Sequence, residues 1–379
     1  MPQTRNQERL DLVQKTVSHA VEAGVVYLHT EDEQLGGRFI KLDGKDLLHF
    51  GSCSYMGLEQ NRAIKDATID AVNLYGTQFS SSRAYVSLGM YEELEALLHQ
   101  IYGQPTLVSA STTLGHMSNI PMLIEEGDAI ILDHQVHASV QMAVQLMVAK
   151  GIKVEMIRHN RMDMLDARIK KLQQNHQRIW FMADGIYSMH GDLAPYAEMS
   201  ELLERYEQLH LYVDDAHGIS WTGKFGRGTA VSHFKGHPRV YITGSLNKSF
   251  AGGGGALIFP NEAIKQKVKM GGGTMIFSGP LQPPVLAACV ASAKHHLKSS
   301  FEDEQKRFLH KIQATNRMIQ QKNLYQPAIE DTPVFFIEVG MPDDTIELVK
   351  RLMSRGVFVN TGAYPSVPYR KSGVRFTIT

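Results

Sequence analysis

One lysine is set in a glycine-rich turn, Val240-Tyr-Ile-Thr-Gly-Ser-Leu-Asn-Lys248-Ser-Phe-Ala-Gly-Gly-Gly-Gly255. A β-favouring run enters the turn, and the four glycines let the backbone pass close to a neighbour. A lysine held in such a packed turn can have its ammonium pKa lowered by desolvation, which frees a neutral amine to form a Schiff base with an aldehyde. A lone loop lysine is far more often a solvated surface group, so the weight must come from upstream. There, Leu211-Tyr-Val-Asp-Asp-Ala-His-Gly218 is an apolar strand running into Asp214, Asp215 and His217. A carboxylate at such a strand end can keep a buried cationic nitrogen protonated, as an aspartate does beneath a pyridinium ring. Helix capping is the commoner use of an aspartate there, and taken alone it comes first.

Three further segments put polar groups after apolar strands. Ser109-Ala-Ser-Thr-Thr-Leu-Gly-His-Met-Ser-Asn119 opens a helix, the setting in which amides and hydroxyls bind a phosphate. It lacks both the Walker loop and the dinucleotide glycine fingerprint. Ile131-Leu-Asp-His-Gln-Val-His-Ala-Ser139 carries His137, flat enough to stack on an aromatic ring. His134 and His137 could equally be metal ligands or solvated, but no third and fourth ligand at a sensible spacing supports a metal. Met182-Ala-Asp-Gly-Ile-Tyr-Ser-Met-His-Gly-Asp-Leu-Ala-Pro195 is a Gly- and Pro-punctuated loop, a class that carries function more often than strands do, although most are only connections.

The elements that position these groups alternate. From about residue 63 to 290, helical patterns separate seven apolar runs starting at Thr106, Ala129, Val154, Ile179, Leu209, Val240 and Ala256. That pattern predicts an α/β fold, a mostly parallel seven-stranded sheet with helices on both faces and ligands at the strand C-terminal ends. Residues 6–24 read as an amphipathic helix ended by Gly24. Residues 25–50 read as a small sheet from Val25-Val-Tyr-Leu, Arg38 to Leu42 and Leu47 to Phe50, with a turn at Asp43-Gly44. Beyond the Pro280 to Pro284 cluster come a helical stretch over 285–323 and a small α+β region with strands from Pro333, Val357 and Val374 and a helix over 343–354. The expected division is an arm (1–48), a large domain (49–290) and a small C-terminal domain (291–379). Because the sequence stops within a strand-like run, more residues are expected after Thr379.

Composition narrows the partners. The 379 residues carry 39 basic and 39 acidic side chains, so nucleic acid and anionic membrane are poor partners. Two distant cysteines, Cys53 and Cys289, form neither a disulfide framework nor a zinc pattern, and a reducing cytosol fits. No apolar run reaches membrane-spanning length, and the polar N-terminus has no signal-like core.

A phosphate cradle, a ring stacker, a carboxylate and a lysine on successive strand ends together describe a pyridoxal phosphate (PLP) site. The blocks Asp184-Gly-Ile-Tyr-Ser-Met-His-Gly-Asp-Leu-Ala-Pro, Val213-Asp-Asp-Ala-His-Gly, Gly226-Arg-Gly and Gly244-Ser-Leu-Asn-Lys248 resemble the α-oxoamine synthases. These are PLP-dependent transferases of fold type I, and the resemblance runs from about Leu47 to the end. It implies a homodimer with a shared active site, and decarboxylative condensation of an α-amino acid with an acyl thioester. It makes Lys248 the Schiff-base lysine and acid/base, Asp214 the partner of the pyridine nitrogen, His217 a donor to the ring oxygen and His137 the stacker. Ser188 would lie near that oxygen, and Gly115, His116 and Ser245 would bind the phosphate, with Ser278 reaching it from the second subunit. Arg375, in Gly-Val-Arg-Phe-Thr-Ile-Thr, would bind the substrate carboxylate, with Cys53 and Arg83 beside it at the substrate rim.

The same comparison exposes departures. Ser52-Cys53-Ser54-Tyr55-Met56-Gly57 stands for Ser-Asn-Asp/Asn-Tyr-Leu-Gly, and Tyr75 to Arg83 has Gln78 and Ser81 where the family has glycines. His116 replaces an aromatic, Asp184 a glutamate and His190 an aspartate, and Gly279 follows Ser278. The expectation is a divergent member with an unusual acyl or amino-acid partner, rather than an enzyme of the biotin, haem or threonine pathways. Rival readings are another PLP reaction, transamination or decarboxylation, and a non-catalytic partner subunit, against which Lys248 argues. A nicotinamide enzyme is disfavoured by the missing fingerprint.

Overall fold

A computed structural model describes residues 5–379. The chain divides into two compact units, one of Met56–Tyr187 with Leu193–Arg307, the other of the described residues up to Tyr55 with Ser188–Asp192 and Phe308–Thr379.

The described residues form thirteen strands: β1 (Phe39–Leu42), β2 (Lys45–His49), β3 (Thr106–Ser109), β4 (Ala129–Asp133), β5 (Lys153–Ile157), β6 (Ile179–Asp184), β7 (Leu209–Asp214), β8 (Val240–Ser245), β9 (Gly255–Ile258), β10 (Val334–Gly340), β11 (Val357–Phe358), β12 (Asn360–Gly362) and β13 (Ser372–Thr377). In the larger unit, all seven expected apolar runs join one sheet in the order β3-β9-β8-β7-β6-β4-β5. β9 is antiparallel to both neighbours, and every other pairing is parallel.

Every residue of β6 and of β8 is buried, as expected of strands covered on both faces. Side chains alternate between two cores. Ile179, Phe181 and Ala183 pack with Leu209, Leu211 and Val213 on one face. Trp180, Met182 and Tyr212 pack with Ile120, Leu123 and Val140 on the other. Continued to the strand ends, this period of two puts Asp184 and Asp214 on the second face and Asp215 on the first. The helix Thr112–Leu123 lies on the second face.

In the smaller unit, β11 pairs in parallel with β2, and β10-β13-β12 form a second three-stranded sheet. The arm and the C-terminal segment therefore share one unit and one core, in which Leu42 and Leu47 meet Ile346, Val349 and Val359. The divisions expected at 48 and 290 fall instead after Tyr55 and Arg307. Val25 to Leu28 forms no strand, because Gly24 and Tyr27 take positive φ and break the extension. The stretch expected to be helical over 285–323 is two helices, Pro283–His296 and Phe301–Gln321. Among the described residues no helix is long and apolar enough to cross a membrane.

Candidate active site

At the C-terminal ends of β6, β7 and β8 a cavity of about 390 Å³ opens, lined among others by His137, Asp184, Asp214, His217, Ser245 and Lys248. Lys248 is half-buried, and its Nζ lies 2.7 Å from His217 Nε2. The loop that presents it is closed on itself: Leu246 donates its amide to Gly254 O (3.0 Å), and Gly252 donates to Leu246 O (2.9 Å). Gly252 must be glycine, because a Cβ there would sit 2.4 Å from Cys289 Sγ. The thiol of Cys289 clamps the next residue, donating to Gly253 O at 3.2 Å. Burial pushes that thiol up to about 12, so it serves as an anchor rather than a nucleophile.

Asp184 and Asp214 are cross-strand partners at the ends of β6 and β7, each at most 4 % exposed. Two buried carboxylates side by side cannot both ionise cheaply, and their surroundings push them apart. Burial, reinforced by the charge of Asp214, raises Asp184 well above the usual carboxylate range, even though it accepts the His137 amide (2.9 Å). Burial works on Asp214 too, but the adjoining His116 ring, with Lys248 and His137, outweighs it and holds that carboxyl low. Asp214 is the one poised to be ionised. Its Oδ1 accepts the Ala216 amide (3.1 Å), and Oδ2 lies 3.0 Å from His116 Nε2. The ring of His137 caps its own helix, Ala138–Ala149, accepting from the Ser139 amide, and burial lowers its pKa.

The helix Thr112–Leu123 starts at the cavity wall, where Ser111 caps it by accepting the Leu114 amide (3.1 Å). Gly115 donates its amide to Ser111 O (2.9 Å), so it is spent inside the helix. The amides of Thr112 and Thr113 have no helical acceptor, and both residues line the cavity beside Ser245. That opening lies nearer the helix start than Gly115 and His116, where the sequence reading put the phosphate contacts. Gly115 and Gly255 make it possible from behind: a Cβ on Gly115 would meet Leu257 Cδ2 at 2.7 Å, and one on Gly255 would meet Thr112 N at 2.9 Å.

Of the candidate residues, Lys248, Asp214, His217, His137 and Ser245 come together in this cavity. His116 lies behind it, fully buried, contributing its imidazole rather than its amide. Ser278 is half-buried and is not part of the lining. Arg83 is committed elsewhere: it donates to Val108 O (2.8 Å) and Glu95 (3.0 Å), and its guanidinium lies 3.7 Å from the Tyr91 ring centre. In the smaller unit, Arg375 Nε donates to Ser188 O (2.7 Å) and a terminal nitrogen lies 3.7 Å from Cys53 Sγ, which gathers three of the candidates. Thr112 and Thr113 lay unnamed in the quoted phosphate-binding segment, Asp184 was named only as a departure from the family's glutamate, and Cys289 only as one of two distant cysteines. For Asp184 a signal existed, since β6 and β7 are both six residues long and both end in aspartate.

The donor set suits PLP: a lysine amine, an ionised carboxylate, a flat histidine at the rim, and hydroxyls with open amides at a helix start. Fold and site together define a PLP-dependent enzyme of fold type I. A family profile for aminotransferase class I and II matches residues 45–379. The chain is 32% identical over 349 residues to an 8-amino-7-oxononanoate synthase of Fervidobacterium nodosum, covering 90% of this chain and 86% of that one. It is 33% identical over 346 residues to a serine palmitoyltransferase of Sphingobacterium spiritivorum, covering 89% and 83%. Among solved structures, the Sphingomonas wittichii serine palmitoyltransferase superposes with a TM-score of 0.88 at 21% identity, covering 99% of this chain and 93% of that one. The chain belongs to the α-oxoamine synthase family within aminotransferase class I and II. It is a PLP-dependent acyltransferase, and its reaction is decarboxylative condensation of an amino acid with an acyl thioester.

Proposed function

We propose that the chemistry runs in the cavity at Lys248, Asp214, His217 and His137, and that the amino acid and acyl group differ from those of the 8-amino-7-oxononanoate synthases it is similar to. When bound, PLP supplies a protonated ring that takes up the electron pair left at Cα by loss of CO2 or a proton. The chain's own residues do the rest. Lys248 holds the cofactor through its amine and then moves the proton at Cα, with His217 Nε2 at 2.7 Å as its hydrogen-bond partner. Asp214 keeps the ring nitrogen protonated by charge pairing where water is largely excluded. His137 covers the ring face. Thr112, Thr113 and Ser245 bind the phosphate, aided by the positive end of the helix.

Arg375 recognises a carboxylate by its forked guanidinium, with Cys53 beside it where the family has asparagine. That substitution, with Gln78 and Ser81, supports a changed substrate rim. A homodimer in which Ser278 serves the partner's site fits the exposure of Phe277 (88 %) and Tyr85 (84 %), and sedimentation as a monomer would refute it. Two free cysteines suit a reducing compartment.

The observation that carries the reading is one cavity holding Lys248, His217 and the low-pKa carboxylate of Asp214. The test is thiol release from a panel of amino acids crossed with acyl thioesters, on coenzyme A and on a carrier protein, with Lys248→Ala as control. Release that requires one amino acid and vanishes in the variant supports the reading. Lysine-independent release, or none from any pair with PLP bound, overturns it.

A further inference from the structure

The side chain of His116 has no assigned chemical part, yet it is the group the cavity's key carboxylate leans on. Its ring is fully buried, a costly position for an imidazole unless both nitrogens are used. Both are: Nδ1 lies 2.8 Å from the Tyr212 hydroxyl and Nε2 lies 3.0 Å from Asp214 Oδ2. Tyr212 can donate to Nδ1, which leaves the Nε2 proton for Asp214. Asn119, on the same helix as His116, approaches the Tyr212 hydroxyl at 3.5 Å.

The chain of contacts ties two ends of the site to one rigid part. The helix Thr112–Leu123 offers its first turn to the cavity and, one turn on, turns His116 inward to Asp214. A single helix thereby fixes the anion cradle and the carboxylate that faces the ring nitrogen. His116 also breaks the symmetry between the two strand-end carboxylates: Asp214 has an imidazole donor, whereas Asp184 has the His137 amide. The charged groups around Asp214 and Asp184 include His116, Lys248 on the β8–β9 loop, His137 at the start of its helix and Asp133 at the end of β4.

Resting on the reading of this cavity as a PLP site, we propose that His116 is a positioning residue, which acts through Asp214 to keep that carboxylate ionised and aimed at the cofactor's ring nitrogen. The test uses the full chain as wild type, His116→Phe, His116→Gln and Tyr212→Phe. Three quantities are read: the PLP dissociation constant, the pH midpoint of the bound cofactor's visible absorbance, and the melting temperature. His116→Phe keeps an aromatic ring but loses the donor, and PLP binding weakens about tenfold or more, the usual weight of a hydrogen bond to a charged group. Its absorbance midpoint moves up, because a ring that has lost its nitrogen proton no longer opposes protonation elsewhere on the cofactor. His116→Gln retains an N–H toward Asp214 and restores most of both values.

A His116→Phe protein that melts earlier but binds PLP with the wild-type constant and midpoint overturns the inference alone, since that is what a purely structural histidine would give. A wild type that binds no PLP overturns the site reading together with it. Should His116→Phe fail to fold, Tyr212→Phe carries the test. Loss of the hydroxyl moves the midpoint the same way, and an unmoved midpoint overturns the proposal.

Discussion

Replacing Asp215 by asparagine should make the protein more stable at alkaline pH and leave it nearly unchanged in acid. Asp215 follows Asp214 in the chain, yet its side chain faces the opposite core, fully buried. It accepts from Thr229 Oγ1 (2.6 Å) and the Ala230 amide (2.8 Å). Three glycines crowd it, and a Cβ on Gly185, Gly218 or Gly228 would come within 2.5 Å of one of its oxygens. Burial raises its carboxyl to about 7, against the pull of those donors. The sign follows from linkage. A folded-state pKa above the unfolded 3.8 means that nothing is lost below 3.8 and that stability falls as pH rises toward 7. At about 1.4 kcal/mol per pH unit, the whole rise from 3.8 to about 7 amounts to about 4 kcal/mol, of which about 3 lies above pH 5. Asparagine cannot ionise, and its amide can donate to Thr229 Oγ1, which in turn reaches Tyr196 Oη at 2.7 Å. Urea unfolding of both proteins at about pH 5 and pH 8 gives the difference of differences, in which pH-independent effects of the substitution cancel. The variant should gain about 3 kcal/mol relative to wild type between those conditions. Parallel pH dependences for the two proteins would refute the placement of an uncharged carboxyl at this position.

Gly115→Ala puts a methyl group 2.7 Å from Leu257 Cδ2 and 2.8 Å from Ser109 Oγ, so the start of the Thr112 helix must shift. PLP affinity should fall while the far-UV spectrum stays native, and unchanged affinity would show that the helix start is not the cradle. Arg375→Lys removes the guanidinium fork proposed to hold the substrate carboxylate, so KM for the amino acid should rise about tenfold or more with a smaller change in kcat. A loss confined to kcat would assign Arg375 to a step after binding.

Much of the fold was legible because apolar runs and polar strand ends alternate so regularly. All seven strands of the main sheet stand where the pattern put them, and four of their C-terminal ends carry Asp133, Asp184, Asp214 and Ser245. The unit division was harder to read. β11 is only two residues long, and its pairing with β2 joins segments about 300 positions apart, which no local pattern encodes. Val25 to Leu28 has strand composition, but positive φ at Gly24 and Tyr27 decides otherwise. In the site, Lys248, Asp214, His217 and His137 were legible as a set. His116 was read for its amide because its place in a phosphate-binding motif says nothing about a side chain that points across the sheet to Tyr212 and Asp214. Arg83 was read as a substrate group, whereas Glu95 and Tyr91, twelve and eight positions away, hold its guanidinium.

The most direct test is to load the protein with PLP, reduce it with borohydride and map the modified peptide. The pyridoxyl group should be found on Lys248, and Lys248→Ala should carry none there while Asp214 and His217 remain in place. A pyridoxyl group on a different lysine of the wild type, or none despite bound PLP, would contradict the assignment of this cavity.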